Sequence, residues 1–469
     1  MKRVAEIPFD SEKKFMITVH KISTGYRVIC KGAPEVVMKM CTECYNGGIR
    51  EQLKISQRND VIANNTLMAE NALRVLAIAY KDVSTKPAIH ELEKDLCFVA
   101  LIGMMDPPRE GVKEAVEVCT RAGIKTAMIT GDHILTAKAI ATELGILKLG
   151  DLAITGLELD RISDTELERN IMHYSVFARV SPEHKVRIVK AFKKANNVVA
   201  MTGDGVNDAP ALKIADIGIA MGKGGTDVAK NAADMILADD NFVTIVEAVK
   251  QGRTIYENIQ KAVHFLISTN VGEIVTMFLG LLMGYDAPLL AIQLLWINLI
   301  TDSLPAIALG LEVSDKNVMK RKPRDNKKGF FADGLWSKIF FEGSMLGVIT
   351  LVVYAIGIKL YGVDVARTMA FATLSIIELV HAFNIHCGEY SFINRIFSNV
   401  YLLGAMVIGV LMQVVVIAVP TIAVVFDVVP LCAKQWIIVI IACILPVIIM
   451  EIQKKTNELI FGKRVYIHN

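Results

Sequence analysis

The rhythm of apolar and polar positions changes near residue 250. Beyond it run six long apolar stretches, at about 259–283, 288–311, 336–360, 366–386, 399–426 and 434–451. Most are long enough to cross a bilayer as helices. Before residue 250 the apolar runs are short. Residues 15–20 and 26–31 alternate apolar and polar and predict two paired strands joined at Ser23-Thr24-Gly25. Residues 62–69 read as a helix and 74–80 as a buried strand.

From residue 96 the pattern becomes strand, helix, strand. An apolar strand is predicted over 97–103, before Asp106-Pro107-Pro108-Arg109. A helix over 113–122 follows, with Val112, Ala115, Val116 and Cys119 on one face. Strands over 125–129, 177–180, 197–200 and 217–220 alternate with helices over 136–144, after Ser181-Pro182, and over 226–233. Gly145 marks the end of the first of these helices. Such alternation predicts a parallel sheet covered by helices on both faces. Three segments result: 1–95, 96–250 and a six-helix bundle over 251–469.

Composition sharpens this division. Hydrophobic residues make up 53% of the 469 positions and mean hydropathy is +0.43, too apolar for an ordinary soluble protein. The net charge of +3 gives no global argument for nucleic acid. Cys41 and Cys44 form one CxxC with no second pair or histidine nearby, which favours free thiols in a reducing compartment over a zinc site. The charged residues after Met1 do not read as a signal peptide.

The strand ends carry the chemistry. Met201-Thr202-Gly203-Asp204-Gly205-Val206-Asn207-Asp208-Ala209-Pro210 sets two carboxylates among glycines where a strand ends. Open α/β sheets bind ligands at that edge, and clustered oxygens in a tight loop suit Mg²⁺ with a phosphate. Thr130-Gly131-Asp132 ends another strand, and Lys185 lies just inside a helix. A hydroxyl, an ammonium and carboxylates together suit a phosphoryl group with Mg²⁺. Lys31, before Gly32-Ala33-Pro34-Glu35, is equally a nucleotide contact or a plain strand-to-helix corner.

Polar residues within the apolar stretches are costly and mark candidate sites. The first stretch carries Asn270 and Glu273, the second Asn298, Thr301 and Asp302, and the fourth Glu378. At α-helical spacing, Asn298, Thr301 and Asp302 share one face. Oxygen donors from several helices are hard ligands of the kind Ca²⁺ takes. Lys316, Lys320, Arg321, Lys322, Arg324, Lys327 and Lys328 follow the second stretch, and Lys454, Lys455, Lys463 and Arg464 the last. Both clusters read as cytoplasmic.

Lys31-Gly32-Ala33-Pro34-Glu35, Asp106-Pro107-Pro108-Arg109, Thr130-Gly131-Asp132 and Thr202-Gly203-Asp204-Gly205-Val206-Asn207-Asp208, in that order, resemble the motif series of P-type cation-transporting ATPases. Asn270-Val271-Gly272-Glu273 and Leu294-Leu295-Trp296-Ile297-Asn298-Leu299-Ile300-Thr301-Asp302 resemble the fifth and sixth membrane helices of sarcoplasmic-reticulum-type calcium pumps, and Glu378 the acidic ligand of their eighth. The resemblance implies an α/β soluble part, namely a partial nucleotide-binding α+β domain over 1–95 and a haloacid-dehalogenase-like phosphorylation domain over 96–250, followed by the all-α transmembrane bundle. It implies ATP contacts from Phe9, Lys14, Lys31, Arg74 and Arg179. Thr130, Gly131, Asp132, Lys185, Asp204, Asn207 and Asp208 would form the phosphate site, with Mg²⁺ on Asp204. Asn270, Glu273, Asn298, Thr301, Asp302 and Glu378 would hold the transported cation, with Ca²⁺ favoured.

The implied phosphoryl acceptor is an aspartate in Asp-Lys-Thr-Gly, a sequence found nowhere in these residues. The expectation is therefore a C-terminal portion of a pump, inactive alone and lacking the strand that bears the nucleophile. It would be either a truncated reading frame or one half of a split pump, partnered by a separate N-terminal half with that motif and four transmembrane helices. A multi-pass protein surrounded by lipid is expected, in the plasma membrane, with its soluble domains and C-terminus cytoplasmic. The competing readings are a membrane-anchored phosphatase and a non-catalytic nucleotide-binding membrane protein.

Overall fold

The computed structural model describes residues 2–461 apart from positions 11, 12, 72, 89, 90, 105–107, 316, 326, 333 and 389, and apart from the side chains of 394 and 461. Asp106, Pro107, Lys316, Lys463 and Arg464 lie outside the described residues. The chain forms two compact units, Met1–Thr120 with Ile124–Val246, and Arg121–Gly123 with Glu247–Asn469.

The first unit opens with strands β1 (Lys2–Asp10), β2 (Phe15–Ile22) and β3 (Gly25–Gly32), then the short helix α1 (Pro34–Val37). Strands β4 (Cys41–Asn46) and β5 (Ile49–Gln52), helix α2 (Ile55–Glu70) and strands β6 (Arg74–Val83) and β7 (Leu96–Met104) follow. These strands form one seven-stranded sheet in the order β1-β2-β3-β6-β7-β4-β5. The expected hairpin is β2–β3, with Phe15 opposite Gly32 and Ile22 opposite Gly25. Alternation works as read: Phe15, Ile17 and Val19 of β2 turn inward against Val28, Cys30, Ala77 and Ala79. Strand β7, expected to open the second segment, instead pairs antiparallel with β6 and parallel with β4. Its apolar run is long enough to be covered by a strand on each side, and periodicity does not tell which sheet a buried strand joins.

Helix α3 (Val112–Arg121), β8 (Met128–Thr130), α4 (Ile134–Glu143), β9 (Leu152–Thr155), α5 (Gly156–Leu159), α6 (Asp164–Asn170), β10 (Tyr174–Ala178) and α7 (Pro182–Lys194) come next. Then follow β11 (Ala200–Gly203), α8 (Ala209–Ile214), β12 (Ile217–Met221), α9 (Asp227–Ala232) and β13 (Met235–Leu237). All ladders here are parallel, as the alternation predicts, but they form two three-stranded sheets, β8-β10-β9 and β11-β12-β13. The central strand β10 is almost wholly buried, whereas β8 and β11 are sheet edges with half-exposed residues. Helix α7 contributes Ile188 to the core beside the first sheet and Val189 to the core beside the second.

Among the described residues, six helical spans are long and apolar enough to cross a membrane, the first beginning just before the second unit. The first is α10 (Phe242–Leu282). The second is α11 (Ala291–Trp296), a π-helical turn over Ile297–Asp302 and α12 (Ser303–Gly310). Then come α13 (Leu335–Tyr361), α14 (Val363–Cys387), the short α15 (Phe392–Arg395), α16 (Val400–Ala418), α17 (Pro420–Phe426) and α18 (Ala433–Phe461). Helix α14 is the most enclosed span, and it buries polar side chains, among them Thr373, Ser375, Glu378, His381 and Asn384, together with its apolar ones. Helices α10 and α13 approach closely at small residues. A Cβ on Gly343 would sit 2.5 Å from the Ser268 carbonyl oxygen, and one on Gly347 2.6 Å from that of Gly272.

Candidate functional site

The 201–210 loop is built by Asp208. Its carboxylate is buried and accepts hydrogen bonds from the backbone N–H groups of Asp204 (3.3 Å) and Gly205 (3.1 Å). Its other oxygen accepts from Lys185 Nζ at 2.5 Å, bringing α7 to the loop. A Cβ at position 203 would lie 2.4 Å from that of Asp208, so Gly203 permits the fold-back. Asp208 is thus a satisfied structural carboxylate. Asp204 and Asn207 are exposed at the loop surface, and no hydrogen bond engages their side chains among the described residues. Met201, Thr202 and Gly203, read as loop, form the last three residues of β11, so the loop proper starts at Asp204.

Thr130 ends β8 and binds the next turn: its Oγ1 donates to Asp132 Oδ2 (3.2 Å) and accepts from the Asp132 N–H (3.1 Å). Gly131 is exposed, with open space where a Cβ would project. Arg74 Nε, at the start of β6, lies 3.9 Å from Asp132 Oδ1. A second group forms around Arg179, whose Nη2 donates to Glu35 Oε1 at 2.5 Å. Arg179 takes a left-handed conformation (φ 53°), as does Lys14 (φ 61°). Burial, then Arg179, lowers the Lys14 pKa from its ordinary value, with Glu35 opposing. Burial followed by Arg179 likewise lowers that of His133. For Glu35, burial is the largest influence and opposes ionisation, but a backbone hydrogen bond and Arg179 outweigh it and lower the pKa. Phe9 and Lys31 lie exposed on β1 and β3. His133, which the sequence reading passed over, caps α4 by accepting from the Leu135 N–H.

In the bundle, Glu273, Thr301, Asp302 and Glu378 are all buried. Asn298 Nδ2 donates to Glu273 Oε1 (2.7 Å), and Thr269 Oγ1 to Asp302 Oδ2 (2.8 Å). Asp302 and Glu378 are neighbours. Asp302 Oδ1 and both Glu378 oxygens are buried without a hydrogen-bond donor. Buried carboxylate oxygens are costly unless something positive meets them. No three acidic, histidine or cysteine side chains among the described residues draw together as a closed metal shell. The arrangement is a set of buried carboxylates from three spans, with three oxygens that lack a donor.

The single α-helical face expected for Asn298, Thr301 and Asp302 is altered by the π-turn over Ile297–Asp302. Pro305 has no N–H to offer the preceding turn, and widened turns of this kind recur at functional sites. Thr301 Oγ1 donates to the Ile297 carbonyl, within its own span (2.8 Å). Asn270 is exposed and donates to Leu266 O (2.6 Å), apart from the carboxylates. Thr269 was missed because a helical threonine ordinarily bonds its own backbone. Glu342, His264 and His381 were missed although an ionisable group in an apolar stretch is itself a signal.

Six apolar spans of membrane-crossing length among the described residues mark an integral membrane protein, and buried carboxylates lie within them. Known families agree. The family described as "Cation transporting ATPase, C-terminus" matches residues 286–456, "P-type ATPase, cytoplasmic domain N" matches 1–111, and "haloacid dehalogenase-like hydrolase" matches 185–249. Calcium-transporting ATPase 1 of Bacillus cereus is 47% identical over 97% of this chain and 54% of its own length. The calcium-transporting ATPase of Bacillus subtilis is 43% identical over 93% and 50%, and the endoplasmic reticulum-type Calcium-transporting ATPase 3 of Arabidopsis thaliana 34% over 97% and 49%. The chain belongs to the P-type cation-transporting ATPases. It spans about half the length of the curated relatives it matches.

Proposed function

We propose that the chain provides the cation site and part of the ATP-hydrolysing site of a Ca²⁺ pump. The observation that carries this reading is the set of orphaned oxygens on Asp302 and Glu378, buried beside Glu273. A passive membrane anchor gains nothing from such groups. A cation with several oxygen ligands offsets their desolvation, and Ca²⁺ accepts larger, less regular oxygen shells than Mg²⁺. The names of the relatives point to the same cargo.

In the soluble unit, Lys14, Arg74 and Arg179 supply positive charge for the phosphates of ATP, and exposed Phe9 and Lys31 contribute to the nucleotide pocket. Asp204 is free to hold Mg²⁺, with Asn207 beside it, while Asp208 and Lys185 shape the loop. Bound Mg²⁺ would neutralise charge on the transferring phosphoryl group. Thr130 and the amides after it donate to phosphate oxygens. The phosphoryl acceptor belongs to an Asp-Lys-Thr-Gly segment outside these 469 residues. The open edges of β8 and β11 offer unpaired backbone groups for the strand that carries it. That segment, with the remaining transmembrane helices, is the partner the reading requires, whether on the same polypeptide or a separate one. The basic groups after α12 and in α18 orient the soluble unit to the cytoplasm, and the plasma membrane is the proposed location.

The decisive experiment is co-expression with a polypeptide that bears the Asp-Lys-Thr-Gly segment, followed by Ca²⁺-dependent ATP hydrolysis and uptake of radiolabelled Ca²⁺ into vesicles. Both activities are expected, and Asp302→Asn abolishes both. Phosphate release that persists without Ca²⁺ and with Asp302→Asn would replace this reading by the anchored phosphatase.

A further inference from the structure

Glu35 is an acidic side chain set among basic ones. It lies in the first turn of α1, and its Oε1 accepts from Arg179 Nη2 at 2.5 Å. Arg179 follows β10, 144 positions further on, and its side chain is 28% exposed, within reach of a ligand. Lys14 comes to the same place from the connection of β1 to β2. Its carbonyl accepts from the Ala33 N–H (2.9 Å), and a Cβ on Gly32 would lie 2.5 Å from that oxygen, so the glycine lets the corner before α1 close on Lys14. His133, which caps α4, completes the group, and it and Lys14 both feel the charges of Arg179 and Glu35. Four segments thus bring three basic side chains to one carboxylate. Two of them, Lys14 and Arg179, are held at positive φ (61° and 53°) without being glycine. A partly exposed ion pair adds less to stability than two such backbone positions take away, so the group is not explained by folding alone.

We propose that Glu35 is an intramolecular competitor for the phosphates of the nucleotide: it holds Arg179 until a phosphate takes the guanidinium over, and reclaims it as the nucleotide departs. This rests on reading Lys14 and Arg179 as ATP contacts and adds to it the residue that sets their affinity. A carboxylate and a phosphate ask the same of a guanidinium, two N–H donors in one plane. The phosphate has more charge and more acceptor oxygens, and wins the exchange. An ionised Glu35 beside a bound phosphate is repelled. Its side chain is 43% exposed and can turn out to water. A nucleoside without phosphate has nothing to exchange for Arg179, so Glu35 acts on ATP and not on adenosine.

The full chain in lipid nanodiscs is titrated calorimetrically with ATP and with adenosine. Glu35→Gln is expected to tighten ATP binding by about fivefold, the range of a partly exposed ion pair, and to leave adenosine within about twofold. Arg179→Ala weakens ATP binding, and in that background adding Glu35→Gln changes it by less than about twofold. Circular dichroism checks the fold of each variant. Unchanged or weaker ATP binding in Glu35→Gln overturns the proposal. So does an equal gain for adenosine, or a gain that persists beside Arg179→Ala, since either is a general effect of charge. ATP binding that is absent from the parent chain, or indifferent to both Lys14→Ala and Arg179→Ala, removes the nucleotide-site reading itself and the competition with it.

Discussion

The acidic residues of the 201–210 loop and those of the bundle are handled in opposite ways. Asp208 is buried but fully engaged, with two backbone N–H groups on one oxygen and Lys185 on the other. Asp302 and Glu378 are buried more deeply, yet three of their oxygens have no donor. On the proposed reading, a carboxylate that holds a fold together is satisfied by the fold, whereas one kept for a ligand is left short. The cost of that shortage is carried by the surrounding packing. Burial alone therefore does not separate structural from functional acids.

The largest expected effect breaks this comparison if it fails. Asp302→Asn should weaken Ca²⁺ binding to the chain in nanodiscs by at least about 100-fold, because a charged ligand becomes a neutral one. The same change should leave bundle stability unchanged or raised, since it removes an uncompensated buried charge. Equilibrium binding of radiolabelled Ca²⁺ and thermal denaturation read the two parts, and lower stability with intact binding would make Asp302 a structural acid. Next in size is Asp208→Ala, which strips three donors of their acceptor and should destabilise the loop by about 2–3 kcal/mol. Asp204→Ala should change stability by no more than about 0.5 kcal/mol. Amide hydrogen exchange over 201–212 compares them, and equal effects would erase the distinction between the two aspartates. Gly343→Leu should cost the bundle about 1–3 kcal/mol by forcing α13 off α10, measurable as a lower midpoint in denaturing detergent.

The smallest effect concerns pH. Glu35 has a lowered pKa in the folded unit. The unfolded chain therefore takes up its proton first as pH falls. The stabilisation is complete above the ordinary glutamate range and disappears as pH drops through the lower folded value. The partly exposed pair with Arg179 should contribute less than about 1 kcal/mol. Glu35→Gln should flatten that acid limb of the stability curve, and an unchanged limb would show that the pair is not maintained in solution.

The legible parts were those in which neighbours along the chain make the structure. Period-two alternation located β2 and β3, six apolar runs located the six spans, and glycine-rich loops at strand ends marked 130–132 and 201–210. These follow from local rules of side-chain direction and length. The partners of the buried acids were not legible. Lys185 reaches Asp208 across 23 positions, Thr269 reaches Asp302 across 33, and His381 lies beside Ser268 across 113.

By itself, then, the sequence determined the β2–β3 hairpin, the membrane-length helices and the glycine-rich loops at strand ends. Tertiary structure decided that Leu96–Met104 completes the seven-stranded sheet, that the parallel strands divide into two sheets with open edges at β8 and β11, and that Ile297–Asp302 widens into a π-turn. It also decided which carboxylates are satisfied and which are left short. The physical reason is the range of the interactions. Backbone conformation and amphipathic pattern are set within a few residues, whereas the donors that meet a buried oxygen come from whichever distant segment packing brings to it.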